Sequence, residues 1–421
     1  MVSLSPTPVN GPAEFRERPR PAGCVEGTAP LDMPFPGRRN RRVTPSAPAA
    51  PARTPSRDLD GHPCFERWED PESGVRSYLL RERLAPVQQS FYFTNPSLSA
   101  DGRHLWLHAA FPPTPQRILG VVDLDTGTTR LHPQSGFSAE SPMVEPDGTS
   151  VLYCARDTVW RLHADGRTEP VFTVPADYVA GRELRRVATH LTRSADGRYL
   201  LLDGEVGNHW FAAIADPASG SFRVVKEFIH HHNHAQFSPV DPGLFTIAMD
   251  HFHDRVTGRR YHYDHRIWLL DIEDRAFECL TPETYCKHLT GISHEWWSGD
   301  GRVCWVGYAL GAFELDLGDR KPVHVWKEPL CHAHCNANRT FWCADESPYH
   351  WHKRPCKILF FDRARDRVTP IVTAMPEPTA PRKWYHIDPH PQFSPDGEWI
   401  IYTTTVAGRT DVALCPVAQF R

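Results

Sequence analysis

From Phe65 onward the chain is a succession of short apolar runs, each closed by a polar turn. Runs such as RILGVVDLDTG, YLLLD, WFAAIADPASG and RIWLLDI are rich in aliphatic, β-branched and aromatic residues and end in Asp, Gly or Pro. That is the pattern of strands and tight turns. Helical periodicity is nearly absent; only GRELRRVA, residues 181–188, offers a marginal amphipathic helix.

One stretch recurs, with its clearest copy HPQFSPDG at His390 to Gly397. Counting back six residues from the Asp of each turn gives Asn95, Ser141, His190, His294 and His390. HAQFSPVDPG carries one extra turn residue and yields His234; HCNANRTF has lost its Asp-Gly and yields His334. The spacings of 46, 49, 44, 60, 40 and 56 residues match propeller blades. The pattern therefore predicts an all-β, seven-bladed β-propeller over residues 59–421. FERWEDPESGVRSYLL, Phe65 to Leu80, reads as two strands that complete the last blade and close the ring. An insertion, HFHDRVTGRRYHYDH, interrupts blade four.

Innermost strands of a propeller surround a central channel, so residues at one register face one another. Five of the seven equivalent positions are histidine. Side chains alternate along a strand, which adds His386 and Asp388 to the face of His390, and His332 to that of His334. Imidazoles and a carboxylate converging on one channel suit a transition-metal ion with open positions for substrate.

Composition narrows the rest. Residues 1–58, with PSAPAAPARTP at the extreme, are too poor in apolar side chains to offset their ordering entropy and read as a disordered Pro/Arg-rich tail. The net charge of -4 implies no polyanion surface, hence no nucleic-acid partner. No apolar run approaches the length of a membrane span, and the N-terminus lacks a secretory core. Eleven cysteines without a compact framework fit reduced thiols and a cytoplasmic location. CHAHC, Cys331 to Cys335, has no second half of a zinc site and reads as two strand cysteines flanking a histidine.

Together FYFTNPSLSADG, HAQFSP, HRIWLLD, SHEWWSGDG and HPQFSPDG resemble the oligogalacturonate lyase family, over roughly residues 65–418. The resemblance implies a seven-bladed propeller holding a divalent metal, typically Mn2+, and cleaving short oligogalacturonides by β-elimination. It implies that His294 and His390 are metal ligands and that His234 is the general base. Asp388 stands where the family has histidine, and Tyr385 where it has glutamine; His386 is placed to substitute. The expected metal set is thus His294, His386, Asp388 and His390. His190, His334, Arg193, Arg266 and Arg382 are expected to contact the uronate. Trp296, Trp297 and Trp384 are expected to stack on sugars or pack blades.

A non-catalytic metal- or ligand-binding propeller is the competing reading. A fused serine hydrolase is disfavoured: no G-x-S-x-G elbow occurs, and Gly397 to Arg421, after the last inner-strand turn, is too short for a hydrolase domain.

Overall fold

The computed structural model describes residues 58–137, 142–254, 256–261, 265–280, 291–346, 355–380 and 382–421. The expected tail, all but its last residue, and Ser141 lie outside them. The described residues form seven antiparallel sheets of four or five strands, plus a two-stranded hairpin. Each sheet is one blade, giving the seven-bladed propeller that the repeat predicts.

The repeat has a physical basis in the turn that ends each innermost strand. In four copies a serine (Ser99, Ser194, Ser298, Ser394) accepts the Gly N–H three residues on. Its hydroxyl binds the intervening aspartate. The glycines Gly102, Gly197, Gly301 and Gly397 have φ of 70°, 76°, 84° and 71°, a region that L side chains rarely enter. Blade six makes the same turn with other residues. Asn336 takes the serine's place, with its N–H on Phe341 O, and the Arg339 N–H returns to Asn336 O. Arg339 itself adopts φ 57°.

This turn corrects the register of blade six. Ser194, Ser298 and Ser394 each follow their ring histidine by four residues; four residues before Asn336 is His332, not His334.

The core is divided among the blade interfaces. Along Trp399–Thr404, Ile400 and Tyr402 pack against blade six, with Phe360 and Ile358. Trp399 and Ile401 pack against blade one, with Leu105 and Leu107. Both faces of a middle strand are therefore buried, and this explains continuous apolar runs where a one-sided sheet would alternate. Blade seven joins the chain ends as expected: Phe65–Glu69 and Arg76–Leu80 add to Asp411–Pro416, with Tyr78 opposite Leu414. The Tyr402 hydroxyl donates to Ser77 Oγ at 2.8 Å across this seam.

Helix is confined, among the described residues, to single turns such as Ala176–Val179. The segment read as a marginal helix instead contributes a short strand, Leu184–Arg186, beside Leu200–Val206. Among the described residues no helix is long and apolar enough to cross a membrane.

Candidate functional site

Ring residues reach the channel through a local distortion. In blade four Asn233 pairs with Ala248 and Gln236 with Thr246, so His234 and Ala235 together oppose Ile247. Blade five repeats this bulge at His294 and Glu295. His234, His294 and His390 have φ of 54°, 47° and 46°, and His386 has 49°. Each such residue costs about 1–3 kcal/mol and persists only where its surroundings hold it.

Two buried aspartates supply part of that hold. Asp203 accepts the Thr189 and Ala235 backbone N–H groups, one residue before His190 and one after His234. Asp345 stands thirteen residues after His332, as Asp203 does after His190. It accepts the backbone N–H of both His332 and His390. It also accepts the His332 Nδ1–H at 2.9 Å.

The channel is filled from blade one. Its innermost strand is interrupted between Gln89 and Leu98, and the excursion carries Tyr92 and Phe93 inward. Tyr92 stacks on His190 with ring centroids 4.5 Å apart and lies 4.8 Å from His390 and 5.7 Å from His234. Phe93 packs on His294, His332 and Trp296. Asn95, the ring residue of blade one, donates to Pro142 O and Leu191 O and ties blades two and three.

Two polar groupings flank Tyr92. In the first, donor atoms of His332, His386, Asp388 and His390 lie within 4.8 Å of one another. A second set, His294, Cys331 and His332, overlaps it. His294 Nδ1–H donates to Cys331 O, and His332 Nδ1–H to Asp345, so both histidines keep an Nε2 lone pair. Imidazole ligands of metals are oriented in this way. His390 Nε2 is buried with no hydrogen-bond partner among the described residues. Burial pushes the Asp388 carboxyl upward, but the His386 hydrogen bond and the surrounding imidazoles outweigh it and hold the group well below the usual range. The residues present fit a divalent cation: three imidazoles, one carboxylate, and second bonds that fix tautomers.

The other grouping is a pair. His190 Nε2 and His234 Nδ1 share a short hydrogen bond. Burial, then the nearby Arg186 and His386, lowers His190 to about 3. Burial, then His190 and Arg266, holds His234 well below 6.5. Both rings are neutral near pH 7.

The expected residues separate accordingly. His386, Asp388 and His390 come together, His332 joins them, and His294 sits in the overlapping set. His334 accepts the Phe393 N–H through Nδ1 and belongs to the blade six–seven seam. Arg193 points to the turn end of its strand, onto Glu145 and Gly197 O. Arg266 is buried between Glu295, at 2.8 Å, and Asp250, at 3.4 Å. The Arg382 side chain lies outside what is described. Trp296 is core, Trp297 binds Gln236 O, and Trp384 is exposed. Cys331 and Cys335 are buried strand cysteines.

Sequence reasoning missed Tyr92 and the ring place of His332. Aligning blade six on Asn336–Arg339 finds the latter. Tyr92 falls at no repeat position, so nothing in the pattern marks it.

The fold and the ring define a seven-bladed β-propeller with a histidine-lined channel. No family model and no curated protein matches the chain. Among solved structures it shares its fold with oligogalacturonate lyases. One, described as in complex with manganese, has a TM-score of 0.67 at 17% identity, over 85% of this chain and 97% of the other. Another, from Vibrio parahaemolyticus, has a TM-score of 0.65 at 15% identity, over 84% and 96%.

Proposed function

We propose that the protein is a metal-dependent lyase that cleaves short oligogalacturonides by β-elimination. The observation that carries this reading is the two groupings that Tyr92 contacts: a cluster of three imidazoles and a carboxylate suited to a cation, and a separate, neutral imidazole pair.

His332, His386, Asp388 and His390 would hold the cation, with His294 beside them, and manganese is the ion named for one fold neighbour. A divalent cation there supplies positive charge against the negative charge that builds on the uronate carboxylate. Held by these residues, it would draw the sugar's C6 carboxylate toward blades six and seven.

The C5 proton is only weakly acidic, and a neutral base is required to remove it. If His234 donates its Nδ1–H to His190, its Nε2 lone pair is free to take that proton. The C5–H electrons then form the C4–C5 double bond as the C4–O4 bond breaks. The departing O4 needs a proton. Burial raises the Tyr92 phenol well above 10 and keeps it protonated, and its ring lies against His190 of one grouping and His390 of the other. Solvent restores both groups afterward.

The test is an assay of purified protein on digalacturonate, following the ultraviolet absorbance of the unsaturated product, with elemental analysis alongside. Product formation that is lost in His234→Ala, with metal content unchanged, supports the reading. A metal-loaded wild type that releases no unsaturated product from any uronate overturns it.

A further inference from the structure

The lyase mechanism leaves the insertion in blade four without a role. It folds as the two-stranded hairpin, Phe252–His253 against Arg260–Tyr261. Asp254 closes its turn by accepting the Val256 and Thr257 N–H groups. A lone hairpin is marginal in water, so its place depends on what it packs against. Phe252 and Tyr261 stand opposite each other and stack, with centroids 4.9 Å apart. Phe252 also meets Trp210, on the third strand of blade three, at 4.9 Å.

Between the hairpin and blade three lies a cavity of about 330 Å³. Trp210, Phe252, Tyr261 and His230 supply rings to its wall, and Asn208 an amide. Ile229 and Val256, in the same wall, are 71% and 77% exposed. Open aliphatic side chains grouped beside aromatic rings form an apolar patch of the kind that receives a ligand. Trp210 is only 8% exposed, and its indole N–H is buried with no hydrogen-bond partner among the described residues. Buried donors are normally satisfied, so an exception in a cavity wall calls for an acceptor from outside.

The ligand must therefore offer apolar faces to the rings and oxygen acceptors at its edge. A pyranose does both: its C–H faces stack on aromatic rings, and its hydroxyls accept from the indole and the amide. Arg259 holds its guanidinium over the Tyr261 ring at 5.0 Å. Positive charge at that place favours an acidic sugar.

The cavity shares no residue with the cation set or the imidazole pair, yet it lies toward the imidazole pair. The insertion leaves blade four beyond Met249, which pairs with His232 two residues before His234. Asp250, close enough to His234 for their charges to interact, accepts the His251 N–H, and Phe252 follows. His231 donates to His251 O at 3.1 Å and lays its ring 5.3 Å from that of Trp210. A chain that leaves the channel across Asp250 and His231 arrives at the hairpin.

We propose that the blade-four hairpin and Trp210 form a distal subsite for the far residues of a longer oligogalacturonide. The inference rests on the lyase reading for the identity of the sugar. It makes affinity depend on chain length: digalacturonate occupies the channel alone, and longer chains reach the hairpin.

The experiment measures binding of digalacturonate and hexagalacturonate by calorimetry in a His234→Ala background, where turnover does not interfere. The same protein is then studied with Trp210→Phe or Tyr261→Ala added. The hexamer is expected to bind more tightly than the dimer. Trp210→Phe keeps a ring and deletes the N–H, and should weaken hexamer binding about 2–10-fold, the effect of one hydrogen bond. Tyr261→Ala should weaken it at least as much, and both should leave the dimer unchanged. Equal affinity for dimer and hexamer, or a hexamer preference that survives both substitutions, overturns the subsite. Cleavage is read separately, by the ultraviolet assay on wild type. If no uronate is cleaved, the lyase reading fails, and the calorimetric outcomes still decide for or against the subsite. Should Trp210→Phe fail to fold, Tyr261→Ala, on the hairpin outside the seven blade sheets, carries the same comparison.

Discussion

The Asp345 carboxylate accepts the His332 Nδ1–H at 2.9 Å and the His332 backbone N–H at 2.8 Å. One buried acid thus fixes both the ring tautomer and the strand that carries it, and through its bond to the His390 N–H it links blades six and seven. Replacing such a partner weakens metal binding about 10–100-fold. Asp345→Asn is therefore expected to raise the dissociation constant for Mn2+ by that factor in a calorimetric titration. Unchanged affinity in a folded variant would show that the pair only supports packing.

Tyr92 touches both sides of the site but is not expected to hold the cation. Tyr92→Phe keeps the stack on His190 and removes the proton donor. General-acid groups contribute about 10²–10⁴-fold, so kcat should fall by at least about 10²-fold with metal content unchanged. A variant with full turnover would assign the leaving-group proton to solvent.

With His234 as the proposed base, the imidazole pair is expected to set the acid side of the rate profile. With His190 lowered to about 3 and His234 held well below 6.5, lowering the pH through 6.5 leaves the base unprotonated. The acid limb of kcat/KM should lie clearly below the pH at which a solvent-exposed histidine titrates. An inflection near 6.5 would exclude His234 as the base in this environment.

Away from the site, His132 is buried against Trp106, and burial lowers it to about 4. Between pH 6.5 and 4 the unfolded chain binds a proton there that the folded chain does not. Stability therefore falls as the pH drops through that window. His132→Phe should flatten the decline in midpoint temperature between those pH values, measured by circular dichroism. An unaltered slope would mean that the ring protonates without unfolding.

Blade seven depends on its N-terminal strands. Leu79 is buried among Ile400, Ala413 and Phe360. Leu79→Ala is expected to cost about 2–5 kcal/mol, as truncations at buried positions do, read from the urea midpoint. A shift near zero would show that the seam is loosely packed.

The fold was readable because the turns repeat as chemistry: a serine, an aspartate and a glycine meeting the same three hydrogen-bond and φ demands. Blade six escaped the count because Asn336, Asn338 and Arg339 meet those demands with other side chains. His334 was consequently credited with the place of His332, although both had been assigned to one face. His386, Asp388 and His390 do come together, but not by strand alternation: the innermost strand of blade seven covers only Gln392–Phe393, and His386 and His390 have φ of 49° and 46°. Tyr92 was not readable: it reaches the channel by a break in a strand, and its position does not follow from the repeat. Arg266, an expected uronate contact, lies instead between the half-buried Asp250 and the buried Glu295, and no spacing in the sequence marks either as its partner.

The seam in blade seven also governs when the site can exist. Phe65–Glu69 and Arg76–Leu80 leave the ribosome well before their partner Asp411–Pro416, with the strands of the other six blades made in between. Until Asp411–Pro416 follows, those first strands lack their neighbour and His390 its completed sheet. A chain cut before Asp411 therefore carries an open edge and an unclosed ring of histidines.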